Sequence, residues 1–388
     1  MNTVAASIVW KDSSSTHKRW RDARNVLVVR LDNLGDVLMT TPAITAIRQS
    51  APDMRVTLLG SRAGAAAAGH VPAIDEVITY DAPWVKGCAG SEDVDRRLLA
   101  NLRRHEFDAA VIFTVCTQSA LPAAVMMRLA GIPLRLAHSR ENPYDLLTDW
   151  VPDGDVCEDG MRHEVARQLD LVRSVGFRVA NESLVFHPLA GDVPNMRRKF
   201  AAAGGDLAQP YIVVHPGATA ASRRYPAERF GMAADLVARE SGCQIVFSGG
   251  RDEHALVAAA RRHMQQPALS MAGELTLGEL AALIAGAQVT VCNNSGPAHI
   301  SAALGTPVVV LYALTNPQHT PWNVKARVLN HDVPCRNCLK SSCPQLHHDC
   351  LLKVEPEQVA AAALELIHTQ RSAAVLAPAR GPALMSFG

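Results

Sequence analysis

Short runs that are apolar at nearly every position, rather than at every second one, recur through this chain. VLVVRL (26–31), VTLL (56–59), AAVIF (109–113), YIVVH (211–215), IVFS (245–248), VTVC (289–292) and VVVL (308–311) are of this kind, with VITY (77–80) and LRLA (134–137) beside them. A strand covered on one face alternates apolar with polar. A strand that is apolar throughout needs cover on both faces of its sheet, which is the condition of a parallel α/β sheet. Helical patterns fall between the runs, at 37–49, 94–104, 120–130, 163–175, 226–241, 253–263 and 277–285. The expected fold class is therefore α/β, built of Rossmann-like units.

The strand–helix rhythm breaks once. Residues 181–210 are rich in Pro and Gly and carry no clear periodicity, so an interdomain linker is expected there. The expected division is a flexible leader at 1–24, an N-terminal domain at 25–180, the linker, a C-terminal domain at 211–368 and a disordered tail at 369–388. A chain of 388 residues is long enough for two such cores. Two Rossmann-like domains facing an interdomain cleft are the natural arrangement, because ligands bind at the carboxyl ends of parallel strands.

Net charge is +1, so nothing global points to nucleic acid. No apolar run approaches the roughly 20 residues that span a bilayer, and the N-terminus lacks the apolar core of a signal peptide. A cytoplasmic protein is expected. Its basic segment HKRWRDAR (17–24) is a candidate for peripheral contact with an anionic inner-membrane surface, or a plain solvated leader. Nine cysteines is an odd count, which argues against a disulfide framework and for a reducing compartment.

The most informative stretch is 289–311. Its strand ends at Asn293-Asn294-Ser295-Gly296, and Pro297 stands where a helix begins. Such a loop offers free N–H groups and the positive end of a helix dipole to a phosphate; an ordinary tight turn is the other reading. Two more loops follow strands in the same half: His215-Pro216-Gly217-Ala218-Thr219 and Ser248-Gly249-Gly250-Arg251-Asp252. The first leads into Arg223-Arg224 ahead of a helix start. Arginine suits a diphosphate, since its fork bonds two oxygens while keeping its charge. The second half is thus a nucleotide-binding candidate, without a P-loop or G-x-G-x-x-G. In the first half the comparable loop runs from Asp32 through Asn33 to Gly35-Asp36. Asp32 and Asp36 both compete for the role of a base that removes a hydroxyl proton. Asp36 is favoured, because Gly35 lets backbone approach a ligand; a plain helix cap is the commoner role of such an Asp.

Taken together, RLDNLGDVLMTTPA (30–43), HPGA (215–218), Gly249-Gly250 and NSGPAH (294–299) resemble glycosyltransferase family 9, the ADP-heptose:lipopolysaccharide heptosyltransferases. The resemblance runs from about 25 to 368 with the motifs in family order. It implies a GT-B fold and inverting transfer of heptose from ADP-heptose to a lipopolysaccharide core or lipid-linked acceptor, with no required cofactor. It also implies Asp36 as the base and Arg223 as the phosphate contact. Gly249 and Gly250 would form the Gly-rich strand end, with Arg251 near the ribose. Asn294, Ser295, Gly296 and His299 would complete the donor site beside His215, Gly217 and Thr219. One position departs from the pattern: 294 is Asn where the well-known heptosyltransferases carry Asp. An anionic acceptor would need positive charge on the first domain, for which Arg30, Arg62, Arg128 and Arg135 are candidates alongside Asn33. Another nucleotide-sugar, a protein acceptor, a non-catalytic sugar-nucleotide binder and a two-Rossmann epimerase or hydrolase are the competing readings.

One feature stands outside this scheme. Cys335, Cys338, Cys343 and Cys350, with His347 and His348, are dense enough for a structural zinc or iron site. The spacing is short for a zinc ribbon, and a loop of packed or free thiols is the other reading.

Overall fold

The computed structural model describes residues 13–376, apart from Lys86, Ala89 and Asp159. The chain divides into two compact units. One gathers the chain through Ala68 with Pro72–Asp155 and Glu164–Asn181; the other gathers Gly69–Val71, Val156–His163 and the chain from Glu182 onward.

The first unit holds β1 (Asn25–Arg30), β2 (Arg55–Gly60), β3 (Glu76–Thr79), β4 (Ala109–Ile112), β5 (Leu134–Ser139) and β6 (Asp149–Pro152). The second holds β7 (Tyr211–His215), β8 (Gln244–Phe247), β9 (Ala268–Ser270), β10 (Thr290–Asn293), β11 (Val308–Leu311) and β12 (Ala326–Leu329). All described pairings are parallel. The spatial order is β3-β2-β1-β4-β5-β6 in one sheet and β12-β11-β10-β7-β8-β9 in the other. Counted from its own first strand, each sheet is wound 3-2-1-4-5-6, the doubly wound Rossmann order. The expected α/β fold with two Rossmann-like parallel sheets is what forms.

The apolar runs behave as their composition requires. β4, β7, β10 and β11 are buried at every position. In the first unit Leu27, Val29 and Ile112 pack with Leu98 and Leu102 of the helix Glu92–His105. In the second, Ile212, Val214, Ile245 and Phe247 pack with Phe230 and Val237 of the helix Ala227–Ser241 and with Val359, Ala363 and Ile367 of Pro356–Leu376.

The helix Leu34–Ser50 contains Pro42. Proline has no N–H to give to the carbonyl four residues back. Here that carbonyl, on Leu38, accepts instead from the Thr41 hydroxyl at 2.6 Å, and the Thr40 hydroxyl donates to Asp36 O at 2.8 Å. The side chains repair the ladder, and the helix continues through its proline.

Three expectations need correction. Residues 13–22 are a helix, not part of a flexible leader, because Trp20 is fully buried and its indole N–H donates to Asp149. The expected linker contains the helix Asp192–Ala202, which buries Met196 and Phe200 and tolerates Pro194 in its first turn. The last helix runs on to Leu376, into the expected tail; residues 377–388 lie outside the described residues, as do residues 1–12 of the leader.

Candidate functional site

In a doubly wound sheet the crevice opens where the strand order reverses, between the first and fourth strands. In the first unit those are β1 and β4, which pair with Val29 opposite Ile112. In the second they are β7 and β10, which pair with His215 opposite Cys292. Three of the loops singled out in the sequence leave the carboxyl ends of these strands, 32–36 after β1, 215–219 after β7 and 293–296 after β10; the fourth, 248–252, follows β8 beside β7.

In the first unit Asp36 sits in the first turn of Leu34–Ser50. Its carboxylate accepts from the Asn33 N–H at 3.1 Å, which satisfies a donor that the helix cannot. Its other oxygen lies 3.4 Å from Arg30, while the side chain keeps some access to solvent. Arg30 was expected on the acceptor. It is instead fully buried, and its guanidinium is committed to three carboxylates: Asp32 at 3.1 Å, Glu164 at 3.2 Å and Asp36. Burial alone would depress its pKa, yet the surrounding carboxylates outweigh that and hold it above its ordinary value. Glu164 also accepts from the Gln168 amide and lies near the fully buried Arg167. Arg167 in turn pairs with Asp153 at 2.8 Å and Asp155 at 3.2 Å and donates to Thr114 O.

Asp32 is also buried and accepts from the Gln118 amide at 2.7 Å. Burial chiefly, then the charges of Asp36 and Glu164, push its pKa up against the pull of Arg30 and Gln118. The remaining acceptor candidates lie elsewhere. Arg62 is exposed and pairs with Asp81. Arg128 donates to Asp145 O at 2.9 Å. Arg135 turns inward onto the carbonyls of Ile132, Pro133, Asp145 and Leu146.

In the second unit one residue missed in the sequence ties two loops together. The Glu253 carboxylate accepts from the Gly250 N–H at 2.7 Å and lies 3.7 Å from His215. A Cβ on Gly217 would stand 1.9 Å from the same carboxylate, so glycine is required by this close approach. Asn293 links the loop after β10 to the loop after β7. Its amide donates to Pro216 O at 2.7 Å and its carbonyl accepts from the Tyr225 N–H at 3.0 Å. Asn294 is buried, with its own N–H bonded to Leu311 O. Ser295 stands at the N-cap position of the helix Gly296–Leu304 with its hydroxyl donating to Asn293 O at 3.3 Å, Pro297 lies in the first turn, and His299 is buried within the helix. Arg224 braces the first loop by donating to Ala218 O at 2.7 Å. Arg223 beside it carries no ion pair among the described residues, and Thr219 and Arg251 are exposed.

His215 is buried against the Ser248 hydroxyl at 3.0 Å. Burial first lowers its pKa, with Glu253 opposing. A base with a depressed folded pKa contributes stability above its unfolded value, about 6.5, and loses that contribution as pH falls through the folded value. The variant His215→Gln is expected to lack this component. Its melting temperature should fall less than that of the native chain between pH 7 and pH 5; parallel curves would contradict the assignment.

The cysteine loop does not assemble as the metal expectation requires. Among the described residues no three His, Cys, Asp or Glu side chains gather so as to hold a metal ion. The groups are engaged locally instead. His347 Nδ1 accepts from the Asp349 N–H at 2.9 Å, and its Nε2 lies 3.6 Å from Cys335 Sγ. Cys350, its thiol raised by burial, takes a backbone hydrogen bond from Leu314. Among the described residues no helix is long and apolar enough to cross a membrane.

Known proteins share this fold. The sequence profile of glycosyltransferase family 9 (heptosyltransferase) matches residues 95–348. The chain is similar to lipopolysaccharide heptosyltransferase 2 of Salmonella typhimurium, with 26% identity over 354 residues, covering 89% of this chain and 97% of the relative. Among solved structures it is similar to a family 9 glycosyl transferase from Veillonella parvula, with a TM-score of 0.77, 23% identity, and 89% and 98% of the two chains covered. It is also similar to the E. coli heptosyltransferase WaaC with ADP, with a TM-score of 0.61, 19% identity, and 88% and 99% covered. The fold they share is GT-B.

Proposed function

The chain belongs to glycosyltransferase family 9, the heptosyltransferase family, and on that premise we propose that it transfers a heptose from ADP-heptose to a sugar hydroxyl of the lipopolysaccharide core, inverting the anomeric carbon. The observation that carries this reading is the setting of Asp36. Its carboxylate is fixed by the Asn33 N–H and by Arg30 without being sealed from solvent. A carboxylate so held is pre-oriented to take a proton.

In this mechanism Asp36 accepts the proton of the acceptor hydroxyl as its oxygen attacks the anomeric carbon. The bond to the diphosphate breaks on the opposite face, and ADP departs with the bonding pair. The charge that develops on the leaving diphosphate is met by the Arg223 guanidinium and by the N–H groups at the start of Gly296–Leu304. Gly249 and Gly250 let the nucleotide approach the backbone, Arg251 and Thr219 line its path, and Ser295 and His299 complete the donor side. The acceptor is part of an anchored glycolipid, so the enzyme works at the cytoplasmic face of the inner membrane.

Thermal stabilisation tests the reading. A nucleotide at about 100 times its dissociation constant adds roughly 2.7 kcal/mol of stability. ADP and ADP-heptose are expected to stabilise the protein where UDP and GDP do not. The neutral Asn294, buried at the end of β10, favours a second reading in which the same chemistry serves another nucleotide-sugar. Selectivity for UDP or GDP would select that reading, and no stabilisation by any nucleotide would overturn both.

A further inference from the structure

Arg223 stands in a turn that is tied down on both sides. Ala221–Arg223 is a single 3-10 turn, closed by the Arg223 N–H on Ala220 O at 3.0 Å and the Arg224 N–H on Ala221 O at 3.2 Å. On its far side the Arg224 guanidinium donates to Ala218 O at 2.7 Å, and the Tyr225 N–H donates to the Asn293 amide oxygen at 3.0 Å. Those two anchors belong to the loops after β7 and β10. The anchor on the near side is Ser222, and it reaches a different part of the chain.

Ser222 is only 4% exposed and is bonded twice to the cysteine loop. Its N–H donates to Ser341 O at 3.0 Å and its hydroxyl to Lys340 O at 2.7 Å. The loop is in turn bonded to the segment after β11. The Asn337 N–H donates to Leu314 O at 2.7 Å and the Leu339 N–H to Thr315 O at 2.9 Å. Both residues hold a positive φ, 58° at Asn337 and 54° at Leu339. Asparagine tolerates that region, whereas leucine adopts it only where its surroundings impose it. Residues 337–341 thus form a preset strap from the end of β11 to the turn that carries Arg223.

The Arg223 side chain is turned toward the same strand end. Burial pushes the hydroxyl of Tyr312, the residue after β11, well above its ordinary pKa, and the Arg223 charge is among the groups that oppose this. The guanidinium is therefore close enough to the end of β11 for its charge to act there. The anchors around it suit a group meant for an anion. Ser222 and Arg224 bond to backbone carbonyls, which fix the turn without offering the Arg223 guanidinium a competing carboxylate.

We infer that Ser222 is a positioning residue for Arg223, and that the 337–341 strap of the cysteine loop braces this arginine for the diphosphate. The inference rests on the transfer reading above, in which Arg223 meets the leaving ADP. A turn fixed in advance leaves only the arginine side chain to be ordered when the diphosphate binds.

A double-substitution cycle on the full chain tests this, with the dissociation constant of ADP read by calorimetry. Arg223→Met is expected to weaken ADP roughly 10–100-fold, the loss of a charged hydrogen-bonding partner. Ser222→Ala removes the hydroxyl and keeps the backbone bond to Ser341; it is expected to weaken ADP about fivefold. In the R223M background the same change should cost less than about twofold, because the residue it positions is gone. A serine with a merely structural role would cost the same factor in both backgrounds. Ser222→Cys, of similar size but a much weaker donor, replaces the alanine variant should that fail to fold. Equal factors in the two backgrounds, or S222A within about twofold of the native chain, would overturn the inference. If ADP does not bind, the cycle is run with UDP or GDP, whichever stabilises the native chain, since the arginine reads the diphosphate and not the base. Binding of no nucleoside diphosphate would overturn the transfer reading and this inference with it. A native chain that binds one but shows no coupling would overturn this inference alone.

Discussion

Replacing Asp36 with Asn is expected to lower kcat about 10²–10⁴-fold, the usual loss when a general base is removed. The substitution keeps the structural duties of the residue. An amide oxygen can still accept from the Asn33 N–H; what is lost is the charge near the helix start, an effect of about 0.3–1 kcal/mol, and one of the three carboxylate charges around Arg30. Stabilisation by ADP should therefore survive, and the loss should fall on turnover rather than on donor affinity. Steady-state kinetics with thermal shifts on the same preparation checks both. Asp32→Asn, measured beside it, separates the two carboxylates. A drop in kcat of about 10²–10⁴-fold in D32N, with D36N itself active, would move the base to Asp32.

Arg30→Met is expected to cost about 3–5 kcal/mol of stability at neutral pH, the range for breaking a buried ion pair from one side. Methionine fills similar space, so the cost is electrostatic: Asp32, Asp36 and Glu164 lose the cation that they share. The pH dependence identifies the cause. Asp32, whose folded pKa burial already raises and which would lose the opposing pull of Arg30, contributes stability below its unfolded value, near 4, and loses it as pH rises through the folded value. The deficit of R30M should therefore shrink as pH falls from 7 toward 4. Urea midpoints across that window provide the measurement. A deficit that does not change with pH would mean that Arg30 matters for its packing alone.

Arg30 also shows how far the sequence could be read. It was visible as a charge ending an otherwise apolar run, and a cation in a strand covered on both faces must find carboxylates. Two of its partners, Asp32 and Asp36, were in view. Glu164 was not, because it arrives from a helix 134 positions along the chain. Local patterning carried the strands, the helix starts and the strand-end loops, where the signal lies within a few residues. It failed on β6, where DWVP alternates in exposure at the sheet edge, and on Asp192–Ala202, where Pro and Gly nearby masked the i, i+4 pair Met196 and Phe200. Glu253 was missed for a similar reason. Its part in joining the loops after β7 and β8 depends on a through-space approach to Gly217, which no spacing rule encodes. The cysteine cluster is the opposite case: the residues are dense along the chain, yet among the described residues no three such side chains gather so as to hold a metal ion.

The identical winding of the two sheets has a bearing on how such a chain can be re-engineered. The candidate residues of each half lie at or just beyond the carboxyl ends of its strands, while the strands themselves are largely apolar scaffold. On the transfer proposed above, acceptor choice and donor choice are separately transplantable modules. Under that proposal, a graft confined to the strand-end loops of the first unit is expected to change which glycan is extended while leaving nucleotide recognition with its original owner.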